Sequence, residues 1–119
     1  MSDEKEIMEM RAGRLLNTRV AEEIMGNKVI KDEIFGEMEI YFTKDGEPVY
    51  SALHPYSEDL SAAQTVIDRI VELGCQDEAA FLYGEDRPEV ICRASLRAVL
   101  KRKKKEELRE QKSKLKIIR

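Results

Sequence analysis

The 119-residue chain has no tryptophan, one histidine, two cysteines and three prolines. Each scarcity closes off a chemistry. Cys75 and Cys92 lie seventeen positions apart, not in a CxxC pair. Two thiols and one imidazole fall short of a zinc site unless carboxylates or a second subunit complete it. In a reducing compartment both cysteines are expected as free thiols, packed like small apolar side chains. Gly13, Gly26, Gly36, Gly46, Gly74 and Gly84 stand singly, so there is no glycine-rich phosphate loop. No apolar run approaches the roughly 20 residues of a membrane helix. The opening MSDEKEIMEM is acidic and lacks the basic start and apolar middle of a secretory signal. A cytoplasmic location is therefore expected, with no membrane partner.

What is present is charge and helical periodicity. Hydrophobic residues make up 42% of the chain and charged residues 38%. The first figure excludes a disordered chain, and the second implies a broad polar surface or charged tails. The net charge of −3 is unevenly spread: Lys101 to Arg119 holds ten Lys/Arg against three Glu, a balance of +7, leaving −10 on the rest. An acidic body with a basic tail bears on contacts rather than on fold.

Leu16, Val20 and Ile24, with Ala21 and Met25, form one apolar stripe and predict a helix from about Arg14 to Met25. Gly26-Asn27 supplies its stop, and a short separate segment precedes Gly13. In EMEIYFT, Met38, Ile40 and Phe42 face one way and Glu37, Glu39 and Tyr41 the other. Asp45-Gly46 is a strong hairpin signal. Val49 and Tyr50 start a return strand that Pro48 places at an edge or opens. Together with KVIKDEIF this gives three antiparallel strands. Ser57 is the expected N-cap of a second helix buried through Ala63, Val66, Ile67, Ile70 and Val71 and ended by Gly74. AAFLYG, residues 79–84, reads as a further strand. A third helix starts near Pro88 and packs through Ile91, Ala94, Ala98 and Val99. The order α-β-β-β-α-β-α predicts an α+β domain over residues 1–100 with a small, mainly antiparallel sheet. It leaves open whether helices cover one sheet face or both. Residues 101–119 read as a basic, helical C-terminal extension.

Three blocks, AGRLLNTRVAEEIMG (12–26), PYSEDLSAAQTVIDRI (55–70) and PEVICRASLRAVLK (88–101), together resemble the phage ABA sandwich domain family of small bacteriophage and prophage proteins. The resemblance implies a sheet held between helix layers, three layers in all. That family is largely without assigned function and implies no catalytic residues. Its members carry a longer β region between the second and third helices, where this chain has only CQDEAAFLYGEDR.

Candidates for chemistry are few. His54 could act as a general base; the plainer reading is an exposed or capping loop residue. Cys92 and His54 could form a nucleophilic pair, but Cys92 lies on the apolar side of its helix beside Ile91. Glu58, Asp59, Asp45, Asp86 and Glu89 could hold a divalent ion if their loops converge, yet acids at helix starts are expected from capping alone. No catalytic, cofactor or metal residue is therefore assigned, and a non-enzyme is expected. The run Lys101, Arg102, Lys103, Lys104, Lys105 could neutralise phosphates in a sequence-blind way, or be a solvated helix extension. The tail has no aromatic residue to stack on bases, and the acidic body would repel DNA. Three readings of function follow. The first is an accessory protein that binds a protein partner or itself. The second is a nucleic-acid-associated protein that uses the tail. The third is a small-ligand binder with a pocket between helix layers or subunits, to which Tyr41, Tyr50, Tyr56 or Tyr83 could contribute.

Overall fold

The computed structural model describes residues 2–117, and side-chain surroundings for residues 4–111. The described chain runs α1 (Ser2–Glu9), α2 (Arg14–Glu23), β1 (Lys28–Asp32), β2 (Gly36–Phe42), β3 (Pro48–Ala52), α3 (Leu60–Glu72), α4 (Gln76–Leu82) and α5 (Pro88–Ile117). The class is α+β. The sheet is antiparallel in the order β1-β2-β3, so two short turns suffice and no crossover is needed.

The helical half is built on α5. Its buried residues Ile91, Cys92, Ser95, Leu96, Ala98 and Val99 recur every three or four positions, the spacing that lines one side of a helix. Against them pack Ala63, Val66, Ile67 and Ile70 of α3, then Leu16, Val20 and Ala21 of α2. Helix α1 is anchored by one fully buried side chain, Ile7. It is also tied by Glu4, whose Oε1 accepts from Arg97 at 2.6 Å. Truncating a core residue such as Ile67 to alanine costs about 2–5 kcal/mol, because the surroundings cannot collapse into the void.

The fourth expected strand does not exist among the described residues. AAFLYG instead closes helix α4. Cys75, Ala79 and Leu82 are buried while Ala80, Phe81 and Tyr83 are exposed. Spacings of four and three put one side of a helix inward, whereas a strand would bury alternate residues. Asp77 and Glu78 sit in the first turn, where the helix dipole favours anions. Three bulky apolar letters in a row look like a strand, but only one of them is used by the core. The N-cap of α3 also differs from expectation. It is Asp59, whose carboxylate accepts from the Ser61 N–H at 2.9 Å, while Ser57 is drawn into the interior.

Candidate functional site

In a sheet of period two, every second residue shares a face. The register pairs Lys28 with Ile40 and Tyr50, Ile30 with Met38 and Ala52, and Phe42 with Pro48. These residues form one face. Val29, Lys31, Glu37, Glu39, Tyr41, Val49 and Ser51 form the other. The alternation expected from the sequence is present, but its polarity is unusual: the glutamate-bearing face turns toward the helices. Val29 packs against the helical core. Glu37 meets the Arg14 guanidinium at 3.3 Å and accepts from the Thr18 hydroxyl at 3.3 Å, both on α2. Glu39, in mid-sheet, is 0% exposed.

A carboxylate so placed is tolerable only if its oxygens are satisfied. Oε2 of Glu39 accepts from Asn27 Nδ2 and from the Tyr56 hydroxyl, each at 2.6 Å. Oε1 accepts from the His54 backbone N–H at 3.2 Å and lies 2.8 Å from His54 Nδ1. The carboxylate cannot donate, so Nδ1 carries the proton. Burial pushes the Glu39 carboxyl up, but donation from Tyr56, Asn27 and His54 outweighs it and holds the group below the usual carboxylate range. Burial, together with the bond to Glu39, drives the Tyr56 hydroxyl well above the ordinary phenol value. A second knot adjoins the first. Asn17 Oδ1 accepts from both the backbone N–H and the hydroxyl of Ser57, at 2.8 and 2.6 Å. The loop from His54 to Ser57 is thus fastened to α2 and β2 at once.

His54 is half exposed at this cluster. Its ring is oriented by Glu39, as a general base would need. Among the described residues, however, no hydrogen bond joins it to Cys92 or to any hydroxyl that could serve as nucleophile. Cys92 is fully buried on α5, and burial pushes its thiol up to about 12. Asp45 lies in the β2–β3 turn, Glu58 and Asp59 before α3, and Asp86 and Glu89 around the start of α5. Among the described residues no three His, Cys, Asp or Glu side chains gather in a way that could hold a metal ion. The roles of Glu39 and Asn27 escaped sequence reasoning, which names Tyr56 only among the tyrosines of a ligand pocket. A lone glutamate inside an alternating strand carries no signal of burial, because alternation does not say which face is wet.

The opposite face of the sheet carries Ile30, Met38, Ile40, Phe42 and Tyr50. Ile40 is buried yet lies outside the core formed by the helices. Phe42 is 64% exposed and Tyr50 57%. At the β1–β2 hairpin tip, Ile34 and Phe35 are 83% and 73% exposed. Asp32 holds that tip, its Oδ1 accepting from the backbone N–H groups of Ile34 and Phe35 at 2.8 and 3.0 Å.

Along α5, Lys101 lies 3.8 Å from Glu4, Arg102 3.5 Å from Glu106, and Lys103 3.3 Å from Glu23. Among the described residues, Lys104 and Lys105 have no acidic partner. Five consecutive residues spread around a helix rather than along one side. A shallow groove between α4 and α5, floored by Leu82, Ala94 and Ala98 with Phe81 at its side, is rimmed by Glu78, Arg97 and Lys101. No helix of the described residues is long and apolar enough to cross a membrane. Searches against family models, curated proteins and solved structures return no match to this chain.

Proposed function

We propose that this chain works by binding a protein surface rather than by catalysis, and that the contact is made by the outer face of its sheet. The observation that carries this reading is the reversed polarity of β2. Its glutamates are spent inside, and its apolar residues Met38, Ile40 and Phe42 are turned away from the helical core. Contiguous apolar surface with large aromatics at its edge marks interaction sites, and Phe and Tyr are favoured anchors in them. The resemblance of the three sequence blocks to small phage proteins supports an accessory role of this kind. The clustered titratable groups support catalysis less well, since Glu39 is consumed by four donors and His54 faces no nucleophile. The basic run supports nucleic-acid binding less well, because three of its five cations already face carboxylates of the same chain.

The test compares three forms of the chain in affinity capture from the source cells: wild type, Phe42→Asp, and Phe81→Asp as a control on α4. Both phenylalanines are exposed, so neither change opens the core. A protein recovered by wild type and by Phe81→Asp but lost with Phe42→Asp supports the reading. Recovery that Phe42→Asp leaves intact overturns it.

A further inference from the structure

We infer that the occupant of this sheet face is a second copy of the same chain, laid over it about a two-fold axis that runs across the strands through the row Ile30–Met38–Ala52. This rests on the proposed role of that face as the contact surface and adds the identity of the partner.

Two features of the register make the face self-complementary. The first is charge. The only charged residues among the strand positions of this face are Lys28 and Asp32, both on β1 and each two positions from Ile30. A two-fold axis through the Ile30 row reverses the strands. It sets Lys28 of one copy over Asp32 of the other, and the converse pair at the other end. An unrelated partner would have to supply both charges independently. Asp32 Oδ1 is engaged by the hairpin tip, which leaves Oδ2 for the lysine.

The second feature is shape. Phe42 lies two rows from the Ile30 row in one direction along the sheet, and the hairpin tip of Ile34 and Phe35 lies two rows away in the other. The same axis therefore brings the Phe42 of each copy to the exposed tip of its partner. The exposed Phe42 thus meets the apolar tip, and each charge its opposite. Face-to-face sheets pack about 10 Å apart with strands within about 30° of alignment, which this axis permits. An aromatic side chain carries about 150–250 Å². With Phe42, Tyr50, Ile34 and Phe35 exposed by 64, 57, 83 and 73%, the face offers roughly 600 Å² a side before the half-buried Ile30 and Met38 are added. That is about 1,200 Å² in total, the lower end of specific interfaces. The expected product is a reversible dimer, not an obligate one.

The experiment is light scattering on the full chain in a dilution series up to about 100 µM, a range that brackets micromolar dimers. The expected mass climbs toward twice 13.8 kDa for wild type, stays at the monomer value for Phe42→Asp, and is unchanged from wild type for Phe81→Asp. Circular dichroism confirms that each variant is folded. Lys28→Glu places like charges together at both ends and weakens the dimer about tenfold. Adding Asp32→Asn to that chain removes the repulsion while keeping the Oδ1 acceptor of the hairpin, and recovers part of the loss. A wild type that stays monomeric throughout overturns the inference while leaving the contact face to be judged by the capture experiment. A dimer that Phe42→Asp and Lys28→Glu leave untouched overturns the inference as well, because the two copies then meet through another surface.

Discussion

The Tyr56 hydroxyl donates to Oε2 of Glu39 across 2.6 Å inside the protein. This contact joins the loop before α3 to the middle strand of the sheet. It is the reason the sheet presents its polar face to the helices, since Glu39 finds there the donors that solvent would otherwise supply. The two partners are unequal. Removing Tyr56 takes away one donor of four. Removing the carboxylate strands Asn27, Tyr56 and two His54 donors together. Buried groups left without partners are the costly case. Tyr56→Phe is expected to cost about 1 kcal/mol and Glu39→Ala about 3–5 kcal/mol in urea unfolding with an unchanged slope. Equal costs for the two would show that the network does not act through Glu39.

The same carboxylate sets an acid limit. Its folded-state value lies below the unfolded reference of 4.5, so the folded chain takes up the proton at lower pH than the unfolded chain does. The resulting stability is fully present above the ordinary carboxylate range and is lost as pH falls through the folded value. Other acids act with the same sign. Glu85, for example, is held at about 2 chiefly by its hydrogen bond to the Arg87 guanidinium. The informative quantity is therefore the difference between wild type and Glu39→Gln. That difference should shrink as pH is lowered from 6 toward 3, a span of about three units around the carboxylate range. A difference constant with pH would contradict the assignment.

The thiols should be silent. Burial pushes Cys92 up to about 12 and raises Cys75, with Glu78 adding to the latter. A thiol that is both shielded and protonated is a poor nucleophile. Near pH 8 an aromatic disulfide reagent should label neither cysteine in the folded chain and both after denaturation. Rapid native labelling of Cys92 would mean that α5 opens at its core.

Ser95 is fully buried on α5, and its hydroxyl has no hydrogen-bond partner among the described residues. Ser95→Ala removes a desolvated polar group and improves helix propensity. It should stabilise the chain by about 1 kcal/mol in thermal unfolding. A loss of stability would show that the hydroxyl has a partner that the geometry does not reveal.

Much of the fold could be read from local pattern. The Leu16–Val20–Ile24 stripe marks α2, and observed α2 ends at Glu23, near the Gly26-Asn27 stop. Asp45-Gly46 lies in the β2–β3 turn, and Pro48 begins β3 on the edge of the sheet. Glycine is required at Gly74, where φ is +93° just beyond α3. Pattern fails where two readings are locally equal. Residues 79–82 have the bulk of a strand and the burial spacing of a helix, and only the core position of Leu82 decides between them. Alternation in β2 names two faces but not which one the helices take. That choice depends on Asn27, His54 and Tyr56, which come to Glu39 from up to seventeen positions away in the chain. The basic tail was legible as charge, while its pairing with Glu4 and Glu23 required the fold.

The most direct measurement is the relaxation of methyl protons by a soluble paramagnetic probe, read at low and high chain concentration. Leu15 is 78% exposed on α2, a helix that meets the inner face of the sheet through Arg14 and Thr18, so it serves as the internal reference. The account predicts that Ile30, Ile34 and Met38 become shielded as concentration rises while Leu15 stays accessible. Sheet methyls that remain open at every concentration, with Leu15 shielded instead, would contradict it.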